Sequence, residues 1–215
     1  MGLILDFLSE LLSDSARKKA DKAVLTEQGR KVRKFAAEHG LYFAPGDGGA
    51  AWAASALGEL GGLGFPAAPE QVIDVVSGTL RGRPVLGFDN PRVHLRPLDS
   101  GHFWFAAARL PRAFPDVVAR SPWEVRNAGS TPATGWFPDA SHYAQVPGTG
   151  AKQAVLGTDP GFAAHVAGGV RGRGAFGASW AIRGRWAVTW DPGLLTAKRL
   201  QNRFGLVCDL ADRCG

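Results

Sequence analysis

The chain is poor in cysteine and has no long uninterrupted apolar run, and each shortage excludes a class of protein. Only two cysteines occur in 215 residues, Cys208 and Cys214. Both fall in a segment with helical periodicity, six positions apart, so roughly 9 Å separates them along the axis at the helical rise. A disulfide does not span that distance. With no further Cys and no nearby His to complete a metal set, both are expected as small buried apolar side chains. No stretch approaches the roughly 18–20 apolar residues of a membrane-crossing helix. The first apolar stretch lacks a positive n-region and is interrupted by Asp6 and Glu10, so it does not have the pattern of a secretory signal. Asp6 also stands where lipidation at Gly2 would want Ser or Thr. The expected compartment is the cytoplasm, with association at a membrane surface as the variant.

Catalytic signatures are missing too. Gly46-Asp-Gly-Gly49 is not followed by the Gly-Lys-Ser/Thr of a phosphate loop. Gly177-Ala-Ser-Trp-Ala181 lacks the second glycine of a nucleophile elbow. Asp139, Ser141 and His142 are the residue types of a hydrolase triad, but triad members converge from distant segments, and three within four positions are expected as a polar loop. His39, His94, His102, His142 and His165 show no i, i+4 pair, so no metal site is expected. His94 and His102 flank a connection that also carries Asp99 and are expected as solvated loop. The chain is therefore read as non-enzymatic, with no cofactor.

What is present begins with charge. The formal net charge is +6, and Arg17, Lys18, Lys19, Lys22, Arg30, Lys31, Arg33 and Lys34, offset by Asp21 and Glu27, carry all of it within residues 17–34. The remaining basic and acidic residues balance, so the basic character belongs to an N-terminal device and not to the body. Ahead of it, Leu3, Ile4, Phe7, Leu8, Leu11 and Leu12 form one apolar stripe at helical spacing. A helix of this length is marginal alone and needs a surface to cover. Residues 1–22 are thus expected as a docking helix and basic linker, and residues 23–215 as a single globular domain. A protein partner is the favoured surface, because Asp6 and Glu10 on the polar face oppose insertion into anionic lipid. A membrane surface engaged by helix 1–12 and the basic stretch 17–34 is the second reading. A small-molecule or enzymatic pocket near loops 91–102 and 129–150 is the third. Arg171-Gly-Arg-Gly174 is a single short basic copy with Phe176 and Trp180 nearby, and nucleic acid is not the expected partner.

The body is organised around residues 73–90. Two runs rich in branched and aromatic side chains flank Arg81-Gly82, which predicts a tight hairpin. Pro84, with no N–H, opens the second arm at a sheet edge or at a position that needs no donor. Upstream, Thr26 and Gly40 bracket a helix with Leu25, Val32, Phe35 and Ala36 inward and Arg30, Arg33 and Lys34 outward. Leu41 to Phe43 predicts a short strand, and Ala50 to Leu60 a short helix or loop. Downstream, Phe103 to Leu110 predicts a buried strand ended by Pro111, and Trp123 to Arg126 another. Gly129 to Gly150 is expected as an exposed excursion. Gln153 to Leu156 predicts a strand. Asp159-Pro160 is a cap for a helix that Gly168-Gly169 should stop at Ala167. Trp180 to Arg183 and Arg185 to Trp190 predict a second hairpin about Gly184, with Trp186, Val188 and Trp190 on one face, packed beside Phe204. Asp191-Pro192 is expected to cap the last helix, whose seam is Leu200, Phe204, Val207, Ala211 and Cys214. The fold class is α+β: a mainly antiparallel sheet of short strands, with N- and C-terminal helices packed on one side.

The run Ser77-Gly-Thr-Leu-Arg-Gly-Arg-Pro-Val85, the Leu110-Pro111 strand end, Asp159-Pro-Gly-Phe162, Gly184 to Trp190 and the closing helix together resemble a group of uncharacterised bacterial proteins common in high-GC Gram-positives. The resemblance covers roughly residues 35–215. It rests on turns, caps and core aromatics, so it implies a fold and carries no activity or site residues. At 168–177 the chain departs from the pattern, which has a fuller helix where this sequence has Arg-Gly.

Overall fold

The computed structural model describes residues 27–51, 53–91, 103–122, 142–147, 153–170, 177–193 and 195–215. Helix α1 (27–38) buries Val32, Phe35 and Ala36 and exposes Arg30, Arg33 and Lys34, as the spacing predicts. Gly40, at φ 64°, ends it, and the Leu41 N–H donates to the Ala36 carbonyl at 2.8 Å. That bond needs a left-handed residue just past the helix end.

Strand β1 (Tyr42–Ala44) pairs with β2 (Ile73–Leu80), and β2 forms the expected hairpin with β3 (Arg83–Asn90). Leu80 opposes Arg83, so the loop is Arg81-Gly82 alone, with φ of 52° and 73°. Positive φ at both positions gives the turn the twist of the strands it joins. Pro84 pairs with Thr79, one step beyond the last β3–β4 pair, Val85 with Ala108, where the missing N–H breaks no ladder.

The strands are not all short. β4 (Phe103–Arg120) has 18 residues and β7 (Ser179–Pro192) has 14, while β5 (Ala144–Gln145) and β6 (Ala154–Gly157) have two and four. All pairings are antiparallel, in the order β1-β2-β3-β4-β6-β5, with β7 on β4. β3 and β6 share one edge of β4 and β7 takes the other. The Thr189 hydroxyl donates to the Ser179 carbonyl at 2.7 Å, although ten residues of extended chain would span about 33 Å. The halves of β7 therefore lie side by side, folded back at Gly184 (φ 54°). β4 travels round the outside of the same corner. It takes five steps from Arg109 to Phe114 while β7 takes two from Trp186 to Gly184. Pro111 sits in that outer bend, so it interrupts the ladder without ending the strand.

Helix α2 (Ala54–Gly62) follows β1, α3 (Pro160–Val170) follows β6, and α4 (Ala197–Arg213) closes the chain. Asp159 caps α3 as expected, its Oδ1 accepting from the Phe162 N–H at 3.0 Å. The helix does not stop at Ala167. It runs to Val170, and Arg213 of α4 lies against Gly169 where a side chain would stand. The cap of α4 is Thr196, accepting from the Arg199 N–H, and not Asp191-Pro192, which end β7.

The sheet is covered on both faces, which corrects the one-sided expectation. α1, α3 and α4 bury one face through Val32, Phe35, Val166, Leu200, Phe204 and Val207. α2 and the chain to Val72 bury the other through Leu57, Leu60, Phe65 and Val72. Trp186, Val188 and Trp190 do share a face, but it is the α2 face. Phe204 lies on the opposite side, its ring 6.5 Å from that of Phe35. Gly87, Ala106, Ala108 and Ala187 leave room for α4 on a face that also holds Trp104 and Trp180, while Phe88, Phe105, Trp186 and Trp190 fill the α2 side.

Candidate functional site

Two regions answer to the residues singled out from the sequence. The first is the N-terminal device. Leu3, Ile4, Phe7, Leu8, Leu11 and Leu12 lie outside the described residues, as do Arg17, Lys18, Lys19 and Lys22. Arg30, Lys31, Arg33 and Lys34 are described, all exposed on α1. Burial of Val32, Phe35 and Ala36 fixes which way they face. Lys31 pairs with Glu27 at 2.7 Å, and that hydrogen bond holds the Glu27 carboxyl below its ordinary range. Lys34 is 3.8 Å from Glu38. Arg30 and Arg33 form no ion pair among the described residues.

The second region is one end of the sheet. The buried polar residues Asp89, Asn90, Ser121, Ser179 and Thr189 all gather there, where β3 ends, β4 begins and ends, and β7 begins and ends. Asp89, Trp104 and Asp191 form one row across three strands. The Arg203 guanidinium of α4 meets Asp191 at 2.7 and 2.8 Å. Desolvation raises the Asp191 carboxyl above its ordinary value, and the charge of Arg203 opposes that only in part. The Ser121 N–H donates to Ser179 Oγ at 3.2 Å, and Asn90 donates to the Pro66 carbonyl at 2.7 Å. A cleft of about 210 Å³ opens at this end, walled by Phe103, Ser121, Ser179, Trp190 and Asp191 among others. Loops 91–102 and 129–150, expected to border a pocket, fall mostly outside the described residues. Phe103, which follows the first of them, is part of the cleft wall.

The remaining sequence candidates that are described do not converge. His39 Nδ1 lies 2.9 Å from the Phe35 carbonyl, a local helix contact, and His165 is exposed on α3. His94, Asp99, His102, Asp139, Ser141, Arg171 and Arg173 are outside the described residues, as is the strand expected at 123–126. Among the described residues no group of three His, Cys, Asp or Glu could hold a metal ion, and no helix is long and apolar enough to cross a membrane. Cys208 and Cys214 are buried free thiols, and desolvation pushes Cys214 up to about 11.

Sequence reasoning missed the long-range polar contacts. Glu59 of α2 accepts from Arg109 at 2.9 Å and from the Trp186 indole at 3.0 Å. Asp116 accepts from the Tyr143 hydroxyl at 2.8 Å and pairs with Arg183 at 3.3 Å. No local pattern marks such pairs. The one available signal was Asp89-Asn90, two short polar residues closing an apolar strand.

No protein-family model matches the chain, and no curated protein matches it in sequence. The crystal structure of the mycobacterial trehalose monomycolate transport factor A, TtfA, is similar in fold, with a TM-score of 0.58 and 16% sequence identity. The match covers 86% of this chain and 93% of that one.

Proposed function

We propose that this chain is a non-enzymatic accessory protein of a transport system, docked on a protein partner by its N-terminal helix. The observation that carries the reading is the shared fold: a transport factor has the same architecture over most of both chains. The docking device supports it from the sequence side. An apolar stripe, Leu3, Ile4, Phe7, Leu8, Leu11 and Leu12, precedes a basic stretch whose described part faces away from the body. Among the described residues the body exposes one large hydrophobic side chain, Tyr42. The test is a pull-down from a membrane fraction with the full chain, with a chain lacking residues 1–22, and with Leu8→Asp. Partners captured by the full chain should be lost in both variants. Capture unchanged by either would remove the helix from the function.

A second reading rests on a different observation. Polar residues buried together at one end of a sheet, beside a cleft with an aromatic wall, are the makings of a small-molecule site. A thermal-shift screen against metabolites decides it, since a ligand at a hundredfold its Kd stabilises by about 2.7 kcal/mol.

A further inference from the structure

We propose that the outward face of α1 rests on an anionic phospholipid surface, with Arg30 and Arg33 as the side chains that touch the phosphates. The proposal deepens the N-terminal docking reading: helix 1–12 meets the protein partner, and α1 meets the bilayer beside it.

Three observations lead there. The orientation of α1 is set by the core, because Val32, Phe35 and Ala36 are buried against the sheet and Phe35 packs on Phe204. Its cationic face is therefore held outward by the fold. Second, the four cations on that helix are not equivalent. Lys31 is tied to Glu27 at 2.7 Å and Lys34 lies 3.8 Å from Glu38, whereas Arg30 and Arg33, three positions apart and so on neighbouring turns of one face, form no ion pair among the described residues, although Glu27 feels the charge of Arg30. A guanidinium presents a fork of donors that fits phosphate oxygens, which suits these two to the contact. Third, the charge is complementary to such a surface and to little else on the molecule. Residues 17–34 carry the entire net charge of +6, and the rest of the chain balances. A body with no net charge is neither drawn to nor repelled by an anionic bilayer, so the basic stretch alone sets its orientation there.

Nucleic acid, the other polyanion, is the poorer fit. Phe35, the aromatic residue of α1, is buried, so α1 itself offers no exposed ring beside Arg30 and Arg33 on which a base could stack.

The experiment is co-flotation of the full chain with vesicles of phosphatidylcholine, and with the same vesicles containing about one-third phosphatidylglycerol. The parent should float with the anionic vesicles only, and be released at about 0.5 M salt, where screening shortens to a few ångströms. Arg30→Gln with Arg33→Gln should weaken vesicle binding roughly 25-fold, at about fivefold per cation. Both residues are exposed, and an unchanged circular dichroism spectrum verifies that the double variant is folded. Phe7→Asp should leave salt-sensitive flotation in place while abolishing capture of the protein partner. Flotation of the double variant equal to the parent overturns the proposal. So does failure of the parent to float, an outcome that leaves protein docking intact. Flotation lost in Phe7→Asp but kept in the double variant assigns the lipid contact to helix 1–12 and overturns both readings. Tighter, Arg30- and Arg33-dependent binding to a short DNA duplex than to the vesicles would reassign the face to nucleic acid.

Discussion

Asp191 shows how a single side chain links sheet, helix and solvent conditions. It is half-buried at the end of β7, and its carboxylate faces Arg203 across the α4 interface. Desolvation outweighs the attraction, so its folded pKa lies above the ordinary value of 3.8. The folded state thus holds the proton more tightly than the unfolded chain does. Stability from this group is fully present below about 3.8 and falls as pH rises through the raised folded value. In Asp191→Asn that fall should be absent from urea midpoints measured across the acid range, and an identical pH profile in parent and variant would show that the carboxyl is not the titrating group. The thiols give a second residue-level test. Cys214, pushed up to about 11 by burial, and Cys208, also raised by desolvation, stay protonated at neutral pH. Since the thiolate is the nucleophile, both should resist a maleimide in the native protein and react promptly in denaturant. Rapid native labelling at either position would mean that the C-terminal seam opens.

At the scale of elements, what could be read from sequence was what local chemistry decides. The 73–90 hairpin was legible because Gly82 supplies positive φ at a turn between two strand-forming runs, and the structure adds that Arg81 takes it too. The seam of α4 was legible because Leu200, Phe204, Val207, Ala211 and Cys214 repeat at helical spacing, and all are buried. The length of α3 was not, because Gly169 looks like a helix breaker until Arg213, more than forty residues on, is seen to occupy its missing side-chain volume. The concentric corner of β4 and β7 was half legible. Gly184 marked the inner fold, but nothing near Pro111 says that β4 resumes beyond it. The assignment of Trp186 and Trp190 to the Phe204 side failed for a related reason: alternation gives which residues share a face, and not what covers it. Two glycines turn that packing into a prediction. A methyl group on Gly87 of β3 would stand 2.8 Å from Leu200 Cδ1 and 3.3 Å from Phe204 Cζ, both fully buried, whereas one on Gly168 of α3 meets nothing within 4 Å. Gly87→Ala should therefore cost about 1–3 kcal/mol by overpacking. Gly168→Ala, in an exposed helical position, should stabilise by about 0.4–1 kcal/mol. Denaturant midpoints measure both, and the opposite order would place α4 elsewhere on the sheet.

For the whole molecule, the question is whether the globular body is complete without its N-terminal device. Both faces of its sheet are already covered, one by α1, α3 and α4, the other by α2 and the chain to Val72. The described elements also fasten themselves to one another. Arg81 and Arg83 at the hairpin tip reach Asp209 and Asp212 of α4 at 2.7 and 3.1 Å, and Glu59 fastens α2 to Arg109 and Trp186. Pairs as exposed as these contribute less than about 1 kcal/mol each, so they set position more than stability. The stability resides in the two apolar layers, which the elements from α1 onward build. Removing residues 1–22 should then shift the melting temperature by no more than about 2 °C, because a chain of this size moves roughly 2–4 °C per kcal/mol. Partner capture should be lost in the same variant. A fall in melting temperature well beyond that range would mean that the apolar stripe of Leu3 to Leu12 is covered by its own domain. The stripe would then belong to the core, and the docking surface would have to be sought on the cationic face of α1 alone.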